Sequence, residues 1–390
     1  MALVSKTFSQ IITFTRASTA TFFNSAGTLT SAAVDAPRFD YNPSTLAAQG
    51  LLIEESRTNL LLQSGWAGAT SGSPGAAPTS WGLGFGTGTV TTVVSSTAGP
   101  IASAVRFDYD NTERVFFDQA ITVTSGTQYA FSIYVEALSG AVAGDVLTIT
   151  NGTTSGTVNT PVTSPSATGR YTLLFTANGN GTVFLRAGAG TTAALGGTGS
   201  ITLSRPQCEA GSFATSYIPT TTTALTRAAD VASVNTLSPW YNSASGTLYA
   251  EYSIPFALTA SSGPRLGTFV GAGGAGVDEL SLFVLQTVNR TASANVFTGG
   301  VNAGRIDASA SFVANTIIKA AQAYASNDRA VTTGGSAPAT STAAYTIPTV
   351  TTLRLGSQDG GGTNNINGYL RRVSFFPRRL SNAELQALTT

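Results

Sequence analysis

An all-β protein is what this sequence predicts, and three observations predict it. Charged residues make up only 10% of the 390, well below the usual quarter. Thr and Val are abundant, and the apolar runs are short and punctuated by 42 glycines, which suits strands and turns rather than helices. Where a run is long enough to show a period, that period is two. The clearest case is residues 129–136, where Tyr129, Phe131, Ile133 and Val135 share one face. With 42% hydrophobic residues and 20 Phe, the chain has apolar surface enough for a core, so its Gly and Ser content does not mean disorder. The expected fold is an N-terminal extended segment followed by two β-sandwich (jelly-roll) domains and a short C-terminal helix.

Residues 1–60 are short extended pieces broken by the turn-rich strings Asn24-Ser25-Ala26-Gly27 and Asp35-Ala36-Pro37. Sixty such residues cannot build a large core alone, so this segment is expected to lean on a neighbour, either another subunit or a larger assembly. Residues 61–225 read as the first sandwich. Further strands are expected at Val146–Ile149, Tyr171–Phe175, Thr182–Leu185 and Ile201–Leu203, with Gly-Asn and Thr-Gly breaks between them. Residues 220–235 read as a polar linker. The second sandwich spans 236–390. In it Leu248, Ala250, Tyr252 and Ile254 alternate inward, and Leu280-Ser281-Leu282-Phe283-Val284 does the same. The chain ends in a helix signature. Ser381 is the N-cap, Glu384 completes a capping box, Leu380 and Leu385 hold the staple positions, and Leu385 and Leu388 face the sandwich.

Composition argues against several function classes. Net charge is +1, with no basic tail and only two lysines, Lys6 and Lys319, so phosphate neutralisation on a nucleic acid has little support. There is no histidine and a single cysteine, Cys208. That rules out an intrachain disulfide, a metal site built on Cys or His, and a Ser-His or Cys-His nucleophile. Cys208 stands among apolar neighbours and reads as a small buried hydrophobe. No apolar run is long enough to span a bilayer, and Met1–Lys6 lacks the pattern of a signal peptide, so membrane insertion is not expected.

Candidate sites follow from residue chemistry. Trp66, Trp81, Trp240 and Tyr241 lie in turn-rich contexts at domain edges. As exposed rings they would form a platform for glycans, which stack on flat aromatic faces; as anchors they would fill domain junctions or subunit interfaces. Asp108, Asp110, Asn111 and Glu113 form an oxygen-rich cluster before a strand. A structural calcium is the cofactor such hard ligands would take, but the EF-hand spacing is missing and a polar turn is the better reading. The Asp359–Asn365 loop offers oxygens too, or is a turn. Glu54 and Glu55 are adjacent on an extended strand, so they point to opposite faces and cannot flank one glycosidic bond; Arg57, two residues on, is the expected salt-bridge partner on one face. Residues 271–276 are Gly-rich but lack the Lys-Ser/Thr of a phosphate loop. Arg371-Arg372 and Arg378-Arg379 concentrate positive charge, suited to an acidic polysaccharide or to pairing with carboxylates at a rim.

The string Phe14-Thr15-Arg16-Ala17-Ser18-Thr19-Ala20-Thr21, then Pro37-Arg38-Phe39-Asp40-Tyr41-Asn42-Pro43 and Gly50-Leu51-Leu52-Ile53-Glu54-Glu55-Ser56-Arg57-Thr58-Asn59-Leu60-Leu61, resembles the phage head-spike or head-fibre proteins and their tail-fibre relatives. The resemblance resumes at Gln207-Cys208-Glu209-Ala210-Gly211-Ser212-Phe213-Ala214-Thr215-Ser216-Tyr217-Ile218-Pro219-Thr220 and Thr226-Arg227-Ala228-Ala229-Asp230, where Cys208 replaces the family's usual Leu. Residues 123–137 look like the jelly-roll carbohydrate-binding modules, and the last 150 or so residues are similar to the concanavalin-like, laminin-G-type sandwich. This resemblance implies a non-enzymatic virion structural protein that decorates the capsid, with residues 1–60 docking to other virion proteins of capsid or tail. It implies a homo-oligomer, by family habit a trimer, assembled in the host cytoplasm and displayed on the virion surface, making weak multivalent contacts with host cell-surface polysaccharide. The alternatives are a tail-fibre receptor-binding protein and a polysaccharide depolymerase tailspike. The last predicts repeated β-helix rungs, which the sequence lacks.

Overall fold

The computed structural model describes residues 6–84, 88–93, 101–110, 114–140, 145–151, 165–191, 197–257, 263–284, 291–311, 313–360 and 364–390. Most of its described strands form two antiparallel sandwiches, one inserted into the other, and two further strand pairs, Ala20–Phe23 with Leu29–Ala32 and Arg57–Asn59 with Leu225–Arg227, stand apart from them.

The inserted sandwich faces a five-stranded sheet against a four-stranded one. The first runs Gly169–Thr176, Gln128–Gly140, Gly199–Ala210, Ala104–Tyr109, Thr89–Val93; the second runs Leu147–Asn151, Gly181–Ala189, Val115–Val123, Gly82–Gly84. Tyr129, Phe131, Ile133 and Val135 all point into the core between them, with Leu173 and Phe175 of the next strand. Cys208 is fully buried in the same core.

The outer sandwich is built from both ends of the chain. One sheet contains Ala339–Ser341, Asp328–Thr333, Ile318–Ala325, Ser245–Ser253, Gly368–Phe376, Ala48–Ile53 and Phe39–Tyr41 in that order. The facing sheet begins with Thr13–Thr15 and Val231–Val234 and continues through Thr352–Leu355, Arg265–Val270, Glu279–Val284 and Thr291–Thr298. Leu248, Ala250, Tyr252 and Ile254 meet Leu280, Leu282 and Val284 between the sheets. Residues 13–53 thus supply three strands to this sandwich, and Phe14, Leu51 and Ile53 belong to its core. The neighbour this segment was expected to need is the C-terminal part of its own chain. Gly50 lets Ala48–Ile53 lie against the Gly368–Phe376 strand: its φ is +118°, and a Cβ there would stand 2.6 Å from the Leu370 carbonyl oxygen.

The expected linker is also structured. Leu225–Arg227 pairs with Arg57–Asn59, Leu225 opposite Asn59 and Arg227 opposite Arg57. These two strands form the stem through which the chain enters and leaves the inserted sandwich. Val231–Val234 then pairs on both sides, with Thr13–Thr15 and Thr352–Leu355. Pairing partners more than 160 residues apart leave no local trace in composition, so the stem reads as a polar linker until the fold is known.

The C-terminal helix, Asn382–Thr389, has the reciprocal capping box of Ser381 and Glu384. Leu380 and Leu385 pack against Tyr249, Ala321, Ala323 and Ala330, with Leu388 beside them. The helix therefore covers the outer face of the seven-stranded sheet.

Candidate functional site

The two strings that stood out in the sequence meet below the inserted sandwich. Arg16 reaches Asp230 at 3.0 Å, and Arg38 reaches the other oxygen of Asp230 and also Glu54 at 2.9 Å. Arg227 lies 3.6 Å from Glu54 and 3.8 Å from Asp230. The Glu54 amide donates to Asp230 at 2.9 Å, and the Ser216 amide and hydroxyl donate to Glu54 at 2.7 and 2.6 Å. All five charged side chains are buried. Burial opposes ionisation of Glu54, but the charges of Arg227 and Arg38 and the bonds from Ser216 outweigh it and hold the carboxyl at about 2. Glu55 points the other way, to Arg57 and to Asn367, as opposite faces of a strand require.

Above this network lies a groove of about 750 Å³. One wall is the outer face of the five-stranded sheet. On Gly169–Thr176, Leu173 and Phe175 point into the core, so Arg170, Thr172 and Leu174 point out, and Leu174 stays 43% exposed. Beside them on Gln128–Gly140 are Tyr134, the direct partner of Arg170, and Glu136. The ladder to Gly199–Ala210 slips between Ser132 and Tyr134 and again between Val135 and Ala137. These bulges lie where the strand presents Tyr134 and Glu136 to the groove. Arg205, with a left-handed φ of 56°, lies 3.7 Å over the Tyr134 ring and pairs with Glu136, so the ring is fixed from behind. The other walls come from the outer sandwich: Asp40–Ser44 and Gln49 on one side, Pro255–Ala257 and Asn315 on the other. Phe213 and Phe256 stack at 3.7 Å where the two sandwiches touch.

Asp40 lies in the lining. The Phe23 amide donates to it at 2.6 Å and the Tyr369 hydroxyl at 2.8 Å. Burial pushes its carboxyl up to about 6, against the pull of those two bonds and of Arg38.

The tryptophans are elsewhere. Trp66 is fully buried and Trp81 nearly so, packed edge-on to each other at 5.7 Å within the core of the inserted sandwich. The Trp81 indole N–H donates to the Leu62 carbonyl at 2.8 Å. Neither ring has a free face to offer a sugar, so the platform reading is corrected for both: they are core anchors. Trp240 and Tyr241 are half-buried and pack on Phe375 and Phe269 at 5.3 and 5.0 Å. They close one end of the outer core, outside the groove lining.

Of the calcium candidates, Asp108 is paired with Arg106 at 3.1 Å. Asp110 also has an interaction partner, while Asn111 and Glu113 lie outside the described residues. Among the described residues no group of three or more His, Cys, Asp or Glu gathers as metal ligands, and no helix is long and apolar enough to cross a membrane. Three of the four C-terminal arginines pair within the chain, Arg371 with Glu251, Arg378 with Glu384 and Arg379 with Asp328, and Arg372 donates to the Ser374 hydroxyl at 3.2 Å.

Sequence reasoning missed the groove residues Tyr134, Arg170, Leu174 and Arg205. One signal was present. In Tyr171-Thr172-Leu173-Leu174-Phe175 the second Leu is out of phase with the buried set, and an apolar residue on the outward phase marks a surface with a use.

No family model matches the sequence, and no curated protein matches it. Among solved structures, the chain is similar to the Ruminococcus gnavus IT-sialidase CBM40 bound to alpha2,3 sialyllactose, with 17% identity and a TM-score of 0.31 over 38% of this chain and 85% of that one. It is similar to NanB plus Optactamide, with 14% identity and a TM-score of 0.33 over 40% of this chain and 25% of that one. The full extracellular region of zebrafish Gpr126/Adgrg6 gives 14% identity and a TM-score of 0.26 over 80% of this chain and 37% of that one.

Proposed function

We propose that this chain is a non-catalytic phage particle component, a head spike or fibre, that holds cell-surface glycan in the groove between its two sandwiches. The groove is the observation that carries the glycan reading. Its lining combines a fixed aromatic ring (Tyr134), an exposed apolar side chain (Leu174), amide groups (Asn42, Gln49, Asn315) and a guanidinium (Arg170). That mixture suits a pyranose, which needs one apolar face covered and its hydroxyls hydrogen-bonded. The particle reading rests on the two N-terminal and central strings. Residues 1–60 would dock to the capsid or tail, and Ile11, Phe39 and Leu46, all exposed, would serve there or in a homotrimer.

Two experiments test this reading. The full chain should bind host polysaccharide, and Thr172→Trp, which fills the groove from an exposed position, should weaken that binding at least tenfold; unchanged binding would remove the groove from the function. Immunogold labelling of virions with an antibody against residues 236–390 should place gold over the head. Gold confined to the tail tip would make the protein a receptor-binding fibre instead.

A depolymerase is the second reading. Asp40, with its raised pKa, and Glu54, with its lowered one, both border the groove, and such a separation is how glycosidases divide acid and base roles. Against it, the Glu54 carboxylate is filled by Ser216, Arg38 and Arg227. Release of reducing ends from host polysaccharide, lost in Asp40→Asn, would establish it.

A further inference from the structure

We infer that the groove prefers a carboxylated sugar, a uronic acid or a chemically equivalent acidic residue, and that Arg170 receives its carboxylate; this rests on the groove being a glycan site. The groove lining holds five charged side chains: Asp40, Glu54, Glu136, Arg170 and Arg205. Four of them are spent. Glu136 and Arg205 pair with each other. Glu54 is taken up by Arg38, Arg227 and Ser216. Asp40 accepts from the Phe23 amide and the Tyr369 hydroxyl.

Arg170 differs. It donates to the Thr215 carbonyl at 2.5 Å and to the Ser132 hydroxyl at 2.8 Å, both neutral acceptors, and its guanidinium lies 5.4 Å from the centre of the Tyr134 ring; among the described residues it forms no ion pair. Its Nε is buried without a partner. A guanidinium has five N–H donors in a rigid fork that matches a carboxylate. Two of them are bound, one on each terminal nitrogen, which fixes the group in place; with Nε buried, the remaining N–H on each terminal nitrogen is what a carboxylate would meet. A half-buried cation whose partners among the described residues are neutral acceptors and an aromatic ring can take an anionic ligand as its counter-ion.

The surroundings define the rest of the ligand. Thr172 and Leu174 follow Arg170 at every second residue on the same exposed face. The row offers a cation, a hydroxyl and an apolar side chain over about 13 Å, a length that takes two or three sugar rings. Tyr134, opposite Arg170 in the ladder and backed by Arg205, closes the cationic end with a flat ring. A carboxylated ring at Arg170, with a neutral ring running toward Leu174, satisfies every group in the row.

The test measures binding of the full chain to trigalacturonic acid and to its methyl ester, alongside an array of neutral and carboxylated oligosaccharides. The acid should bind at least tenfold tighter than its ester, and 0.5 M salt should erase most of that difference. Arg170→Gln should abolish the preference, and Arg170→Lys, which keeps the charge and guards against a folding defect, should retain part of it. Equal binding of acid and ester, lost in Thr172→Trp but not in Arg170→Gln, would overturn the carboxylate assignment while leaving the groove as a glycan site. No binding by any array member would overturn both. Acid binding that survives Arg170→Gln unchanged would place the anion elsewhere and refute this inference alone.

Discussion

In the inserted sandwich, Trp66 packs edge-on against Trp81, Phe107 and Phe117 at 5.7, 5.9 and 5.4 Å, whereas at the junction beneath it Arg16, Arg38 and Arg227 close around Glu54 and Asp230. Both regions are buried, and they are held together for different reasons. The aromatic cluster is held by area and shape, so its stability changes in proportion to the atoms removed. The charge cluster is held by mutual compensation. Removing one member leaves the others buried and unpaired, so it fails as a unit. The contrast also separates their duties. The apolar core makes a sandwich, while the charge cluster ties residues 16–38, the stem and the strand at Val231–Val234 into one register.

The sharpest way to break this comparison is at Asp230, which pairs with three arginines and accepts from the Glu54 amide. Asp230→Ala should cost about 3–5 kcal/mol, measured by urea denaturation, and Asp230→Asn nearly as much because the charge is lost. A cost under 1 kcal/mol would show that the network is dispensable. Trp66→Ala should cost about 3–5 kcal/mol by cavity formation. Unlike the Asp230 variants, Trp66→Phe should recover most of that loss, since shape rather than charge is at issue.

The next prediction concerns pH. The folded state holds the Asp40 proton to about 6, above the ordinary 3.8, so it binds that proton more tightly than the unfolded chain does. The contribution is fully present below about pH 4 and is lost as pH rises through 6. Glu54 acts in the opposite sense. With its carboxyl lowered from 4.5 to about 2, it contributes stability above pH 4.5 that is lost as pH falls toward 2. Thermal stability should therefore peak near pH 4–5 and decline toward neutrality by up to about 3 kcal/mol from Asp40. Asp40→Asn should flatten the decline between pH 4 and 7 while leaving the acid limb intact. A wild-type Tm that is level from pH 4 to 7 would contradict the buried acid.

The smallest effect is expected at the helix cap. Ser381→Ala should cost about 1 kcal/mol, read from the denaturation midpoint, with glycan binding unchanged.

Much of this was legible in the sequence. The alternation at residues 129–135 and 248–254 assigned faces correctly, because period-two patterning follows from strand geometry alone. The capping box at Ser381 and the Glu55–Arg57 pair were legible for the same reason: their partners lie within three residues. The platform reading failed for Trp66 and Trp81 because turn-rich flanks suggest exposure, whereas Trp66 enters the core from a turn with a φ of 50°. The groove escaped detection because its walls come from residues 40–49, 134–136, 168–174, 205–217 and 255–257 with Asn315, and no local pattern joins them.

By itself the sequence determined the all-β class, the faces of the long strands, the capped terminal helix and the burial of Cys208, all of which depend on neighbours a few residues away. Only the tertiary structure decided that residues 13–53 complete the C-terminal sandwich, that Arg57–Asn59 and Leu225–Arg227 form a stem, and that Arg16, Arg38, Glu54, Arg227 and Asp230 share one buried site. The physical reason is that strand pairing and charge compensation depend on distance in space. Composition and periodicity record only which groups need a partner, and the closed chain decides which partner each receives.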